Sequence, residues 1–203
     1  MFEELEEAGL DTAGFGYFGS IPELEIGPSN FDCGRAAPIL LRWLPEIDDP
    51  NTRESIIRSV TAQAAARAHG GAQAMIDEFR RSADDRSLAW VAGNALSTLA
   101  SPSDADAIID LLRDRRFGTG RQMLCDALKK TKDPRTPQVL ADLLDDDDVN
   151  GHAISALRAM RKPEALAALA RARPALEAIA ARKDATIFAR KQARQALAKI
   201  DAS

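Results

Sequence analysis

The strongest constraint on this chain is an internal repetition. Ala107, Ile108, Asp110, Leu111 and Leu112 recur 32 residues later as Val139, Leu140, Asp142, Leu143 and Leu144. Ala127 and Leu128 recur as Ala156 and Leu157, 29 residues on, and the difference falls in a turn holding Gly118 and Gly120. A two-helix unit repeated about every 30 residues cannot bury its apolar face alone, so successive units must stack. The expected fold class is all-α: an α-solenoid of about five helical hairpins behind an irregular N-terminal cap segment.

Composition agrees with close-packed helices. Apolar residues make up 45% of the chain and aromatics only 5%, so the core is built from Ala, Leu, Ile and Val rather than from the aromatics of β-rich folds. The expected division is a cap over residues 1–34 and a repeat domain over 35–203. Gly14, Gly16, Gly19, Pro22, Gly27, Pro28 and Gly34 break any regular pattern in the cap, apart from a helical turn or two over Phe2 to Leu10. Phe15, Tyr17, Phe18, Ile21, Leu24, Ile26 and Phe31 are too many apolar side chains to leave in water. They are expected to cover the open face of the first hairpin, or to form an arm that docks a partner.

The first hairpin pairs a helix over Ala36 to Trp43 with one over Thr52 to Ala68, which His69-Gly70-Gly71 ends. Trp43 matches Phe79 and Leu112 in register and is expected in the core. The second pairs Ala72 to Arg81 with Arg86 to Leu99, with Ser82, Asp84 or Asp85 as N-cap. Leu88, Val91, Ala92, Ala95 and Leu99 form its buried stripe. The third opens at Ser101-Pro102-Ser103-Asp104 and runs to Thr131; the fourth runs from Asp133-Pro134 to Met160. Asp145 to Asp148 join the fourth pair and lead into a helix N-terminus, which favours acids. The fifth starts at Pro163, breaks at Pro174, and ends with helices to Ala181 and over Asp184 to Lys199.

Charge is segregated. Residues 1 to 50 carry 2 basic and 11 acidic side chains (net −9), whereas residues 151 to 203 carry 11 basic and 4 acidic (net +7). In an elongated stack such blocks stay at opposite ends, where they steer a charged partner, favour head-to-tail association, or simply solvate the helices. The overall net charge of −4 gives no general reason to expect nucleic-acid or membrane affinity. An acidic start without an apolar run, and no 18-residue apolar stretch, point to a cytoplasmic protein. Cys33 and Cys125 are too far apart in sequence to read as a ligand pair and serve as fillers.

Asp133-Pro134, Val139-Leu140, Leu143-Leu144, the aspartate turn with Val149, and Ala153, Ala156 and Leu157 resemble a HEAT-like repeat, and more narrowly the short repeats named after the phycobilisome lyases. The resemblance spans about residues 35 to 203 and is strongest in the third and fourth units. It implies an all-helical superhelix with the second helices lining a concave side, but no particular chemistry. Deoxyhypusine hydroxylases built on this repeat hold iron with His-Glu pairs; the only histidines here, His69 and His152, are not followed by Glu. HEAT-like alkylpurine DNA glycosylases present Trp, Asp and Arg on a basic concave face; Trp90, Asp126 and Arg121 echo that set without the basic surroundings.

Aligning the second helices on Val60, Leu96, Leu128, Leu157 and Leu197 gives two ladders outside the core: Glu54, Trp90, Gln122, Gly151, Lys191, and Arg58, Asn94, Asp126, Ser155, Gln195. An indole beside Asn94, with Arg121, Gln122 and Asp126 one repeat along, has the make-up of a binding hot spot. The alternatives are that Trp90 packs against a neighbouring repeat and that Arg121 and Asp126 form an ordinary ion pair or a solvated face. Glu54, Arg58, Trp90, Asn94, Arg121, Gln122, Asp126 and His152 are therefore the candidate groove for a protein or peptide partner. No nucleophile-base pair or spaced ligand set assigns a catalytic residue, metal ligand or cofactor. Four consecutive aspartates diverge too much to chelate, and Arg115-Arg116-Phe117 with the glycines around Thr119 is a weak anion motif. Nucleic-acid binding by the basic C-terminal end, a glycosylase-type protein, and a small enzyme acting on an alkylated base or tetrapyrrole are the rival readings.

Overall fold

The computed structural model describes residues 1–10, 32–61 and 64–203. The apolar cap residues from Phe15 to Phe31 lie outside the described residues. The described chain is all-helical and contains no strand. Its α-helices are α1 (Phe2–Glu7), α2 (Cys33–Trp43), α3 (Pro50–Thr61), α4 (Ala64–Ala68), α5 (Gly71–Arg81), α6 (Arg86–Leu99), α7 (Ala105–Arg113), α8 (Leu124–Thr131), α9 (Thr136–Ala141), α10 (Asn150–Ala159), α11 (Pro163–Arg171), α12 (Arg173–Ala181) and α13 (Ile187–Asp201). Short 3-10 segments cover Leu44–Glu46, Pro102–Asp104 and Arg115–Met123.

Local chemistry sets the boundaries. Asp32, Asp85 and Thr186 accept the amides of Arg35, Leu88 and Ala189, each at 3.0 Å, and so satisfy donors that a helix start leaves free. Pro163 and Pro174 sit in first turns, where a missing N–H costs nothing. Asp145 to Asp148 lie between α9, which already ends at Ala141, and α10, which no aspartate side chain caps.

Within each hairpin α5 packs on α6, α7 on α8, α9 on α10 and α12 on α13. The second helices also touch in chain order, α3 to α6, α6 to α8, α8 to α10 and α10 to α13. One apolar cluster therefore runs from Leu5 to Ala196 without interruption. At its start α1 packs on α2, burying Leu5 and Leu10. Here Trp43 departs from its expected core position: it is half-buried, and its indole N–H donates to the Glu4 carboxylate at 2.9 Å. That bond, and the adjacent Arg42 guanidinium, hold the Glu4 carboxyl below its ordinary pKa.

The turn between α7 and α8 is the least regular part. Gly118, at φ +48° and ψ −130°, kinks the 3-10 segment in a conformation that strains any side chain. The segment then lies against α6 so closely that a Cβ on Gly120 would meet Ala89 Cβ at 2.9 Å and the Arg86 carbonyl at 3.2 Å. Gly93, facing α8, has ordinary clearance, with Met123 Cβ at 3.4 Å. Gly120→Ala is expected to cost about 1–3 kcal/mol through overpacking. Gly93→Ala is expected to be neutral or to stabilise by up to about 1 kcal/mol through helix propensity. Urea unfolding midpoints of the two variants check the contrast.

Candidate functional site

α6 is buried along much of its length and shows what surface remains. Leu88, Ala89, Val91, Ala92, Gly93, Ala95, Leu96 and Leu99 are buried. Trp90, Asn94 and Ser97, spaced i, i+4, i+7, form a half-exposed stripe. Trp90 rests partly on the core and keeps the rest of its indole open. Comparable stripes run along the neighbours, with Gln122, Asp126 and Lys129 leading into and along α8 and His152 and Ser155 on α10.

Specific contacts tie α8, α10 and α13 into one surface. His152 packs on Phe188 with ring centroids 4.8 Å apart, and Asp126 lies near enough to act on the His152 proton affinity. Burial dominates and lowers the His152 pKa, with the Asp126 charge opposing it. Asp126 also pairs with Lys129 at 2.5 Å. Gln122 donates to the Asp148 carbonyl at 3.0 Å, so its amide serves the next hairpin. Glu54 and Arg58 pair with each other at 2.6 Å along α3, and no hydrogen bond or ion pair joins them to Trp90. Gly151 is buried against Phe188 and contributes to packing rather than to a ladder of exposed side chains.

Arg121 is the main correction. Expected in the groove, it has 0% exposure. Its Nε donates to the Gly118 carbonyl at 3.1 Å, and its Nη1 donates to the Leu112 carbonyl and to Asp146 Oδ2, both at 2.9 Å. Asp146, 5% exposed, is the second member of the aspartate turn. The other aspartates there are structural too: Asp147 accepts from Arg182 at 2.6 Å and from Asn150 at 3.0 Å, and Asp145 lies 3.5 Å from Arg115. Arg53 does the equivalent at the start of α3, donating to buried Glu78 at 2.6 Å and to Ser82 at 3.2 Å. Arg86, at the start of α6, lies against Gly118 of the following hairpin. Arg53, Arg86 and Arg121 stand 33 and 35 residues apart, a second periodicity in the sequence that the apolar pattern concealed.

Burial and the neighbouring acids push the Cys125 and Cys33 thiols up, the opposite of what an attacking thiolate needs. Among the described residues no group of three or more His, Cys, Asp or Glu is placed to hold a metal ion. A cavity of about 170 Å³ lies between α7 and the turn after α9. Arg113, Arg115 and Arg121 line it together with Asp142 and Asp146, so its charges largely answer one another. No described helix is long and apolar enough to cross a membrane.

No protein-family model matches the chain, and neither curated proteins nor solved structures include a significant match to it.

Arg121→Met, which strands Asp146 in the interior, is expected to destabilise by about 3–5 kcal/mol, as is Asp146→Asn in the converse sense. Chemical denaturation of both singles and the double variant measures the coupling. His152 gives a pH signature. Its folded pKa is depressed, so below about pH 6.5 the unfolded chain takes up the proton first and stability falls, levelling off once the pH passes the folded value. His152→Gln should flatten that part of a stability-versus-pH curve.

Proposed function

We propose that the chain is a HEAT-like α-solenoid serving as a non-catalytic binding module that holds a protein or peptide partner on its second helices. The observation that carries this is the stripe on α6. A helix buried along much of its length leaves a large indole half open, with a carboxamide and a hydroxyl four and seven positions further along. An amphipathic anchor flanked by hydrogen-bonding groups is what a binding surface uses, since an aromatic ring desolvates well at low conformational cost. The neighbouring surface continues it with Asp126, His152 and Phe188. Support for the stacked architecture comes from the chain-order contacts of α3, α6, α8, α10 and α13. Arg121 has no part in the groove, because its donors are turned into the protein.

The partner is best sought with a displayed peptide library on the intact chain. The sequence has two tryptophans, so Trp43→Phe leaves Trp90 as the sole indole reporter of occupancy. Selected peptides should shift Trp90 emission, and Trp90→Ala should weaken them by about thirtyfold, the scale of a hot-spot residue, while far-UV ellipticity is retained. Binders indifferent to Trp90, Asn94 and His152 together would rule this surface out.

A further inference from the structure

The last helix carries a face that the monomer leaves uncovered. α13 buries Ala189, Gln192, Ala193 and Ala196 against the body of the protein. On its other side Ile187, Arg190, Lys191 and Arg194 follow at spacings of three and four residues, and Phe188 flanks them. Ile187 is 79% exposed and Phe188 40%, among the few large apolar side chains in water. An open isoleucine beside cations is an amphipathic patch of the kind a docking surface uses.

The cations on this face are unmatched. Elsewhere in the same unit arginines meet acids: Arg173 pairs with Asp201, and Arg182 pairs with Asp147 and Asp184. Lys183, Arg190, Lys191 and Arg194 have no carboxylate partner among the described residues, and the Arg190 and Arg194 guanidinium groups reach only backbone carbonyls, at 3.4 Å. The opposite charge lies at the far end of the helix-to-helix contact order. On α1, Glu4 is engaged by Arg42 and Trp43, whereas Glu3 and Glu7 are exposed and have no ion pair among the described residues. The two ends are thus complementary: residues 1 to 50 sum to −9 and residues 151 to 203 to +7.

We propose that the Ile187, Lys191 and Arg194 face of α13 docks the acidic α1 end of a second copy of this chain. The two surfaces differ, so the contact is heterologous, and each added copy presents another free end. The apolar area is small and the ion pairs exposed, so the association is weak and salt-sensitive. Ile187, Lys191 and Arg194 take no part in the groove centred on α6, although Phe188 borders both surfaces.

The test is sedimentation velocity with the intact chain. Wild type should form concentration-dependent oligomers at about 0.01 M salt and dissociate towards monomer at about 1 M, as the screening length shrinks from about 30 Å to about 3 Å. Glu3→Lys with Glu7→Lys blocks one end; Lys191→Glu with Arg194→Glu blocks the other. Each doubly substituted chain should be monomeric alone, with self-affinity down about tenfold or more. An equimolar mixture of the two should give a heterodimer and nothing larger, because one free acidic end meets one free basic end. Circular dichroism of each variant confirms that it folds, and Ile187→Ser offers a milder block. A wild type that stays monomeric up to about 1 mM at low salt would overturn the proposal. So would variants that still associate, a symmetric dimer that ignores the substitutions, or a monomer whose Lys191 and Arg194 bind labelled single-stranded nucleic acid instead.

Discussion

The packing of hairpin on hairpin depends on a buried charge. Arg121 has no exposed surface, and it is held by two backbone carbonyls from the preceding turn and helix and by a carboxylate from the next hairpin. A guanidinium can occupy such a position because its planar set of donors satisfies several acceptors at once, which offsets the cost of removing it from water. Apolar stripes alone would let neighbouring hairpins slide by a residue or more, since Leu, Ile and Ala are interchangeable contacts. A directional pair between the start of one second helix and the turn of the next unit specifies a single register. Arg53 at the start of α3 likewise pairs with the buried Glu78 of α5, and a more exposed pair, Asp147 with Arg182, joins the aspartate turn to the end of α12.

The same arrangement explains the backbone irregularities around residue 118. The Arg121 Nε needs the Gly118 carbonyl turned inward, and that orientation requires the kink. Glycine at 120 then lets the segment approach α6, whose middle and last turns are left with Trp90, Asn94, Ser97 and Thr98 half-exposed. The proposed binding stripe is therefore a by-product of how tightly the third hairpin closes on the second. The proposed end-to-end contact has a different origin, since it rests on the exposed Ile187, Lys191 and Arg194 of α13.

Much of the architecture was legible in the residues. The recurrence of Ile108, Leu111 and Leu112 as Leu140, Leu143 and Leu144 identified paired helices, because apolar spacing follows directly from the helical period. Asp85, Pro163 and Pro174 marked boundaries through local backbone chemistry, which depends on a few neighbours in sequence. Trp90, counted about 200° from Leu88, and Asn94, one turn on, are half-exposed outside the buried stripe of α6. Trp43 was misjudged because its register matched Phe79 and Leu112, whereas its indole N–H required an acceptor, which Glu4 supplies.

By itself the sequence determined that the chain is helical, where several of its helices begin, and which side of them is apolar, since these follow from interactions a few residues apart; other ends it misplaced, for the expected helix over Thr52 to Ala68 is α3 and α4 and the last helix starts at Ile187 rather than Asp184. Only the tertiary structure decided what the charged residues do. Arg121 read as a surface group, and the aspartate turn as a helix entrance favoured by the dipole; both proved to be halves of one buried pair, 25 residues apart. Whether a charge faces water or its opposite depends on partners brought from another hairpin, and neither composition nor periodicity encodes that meeting.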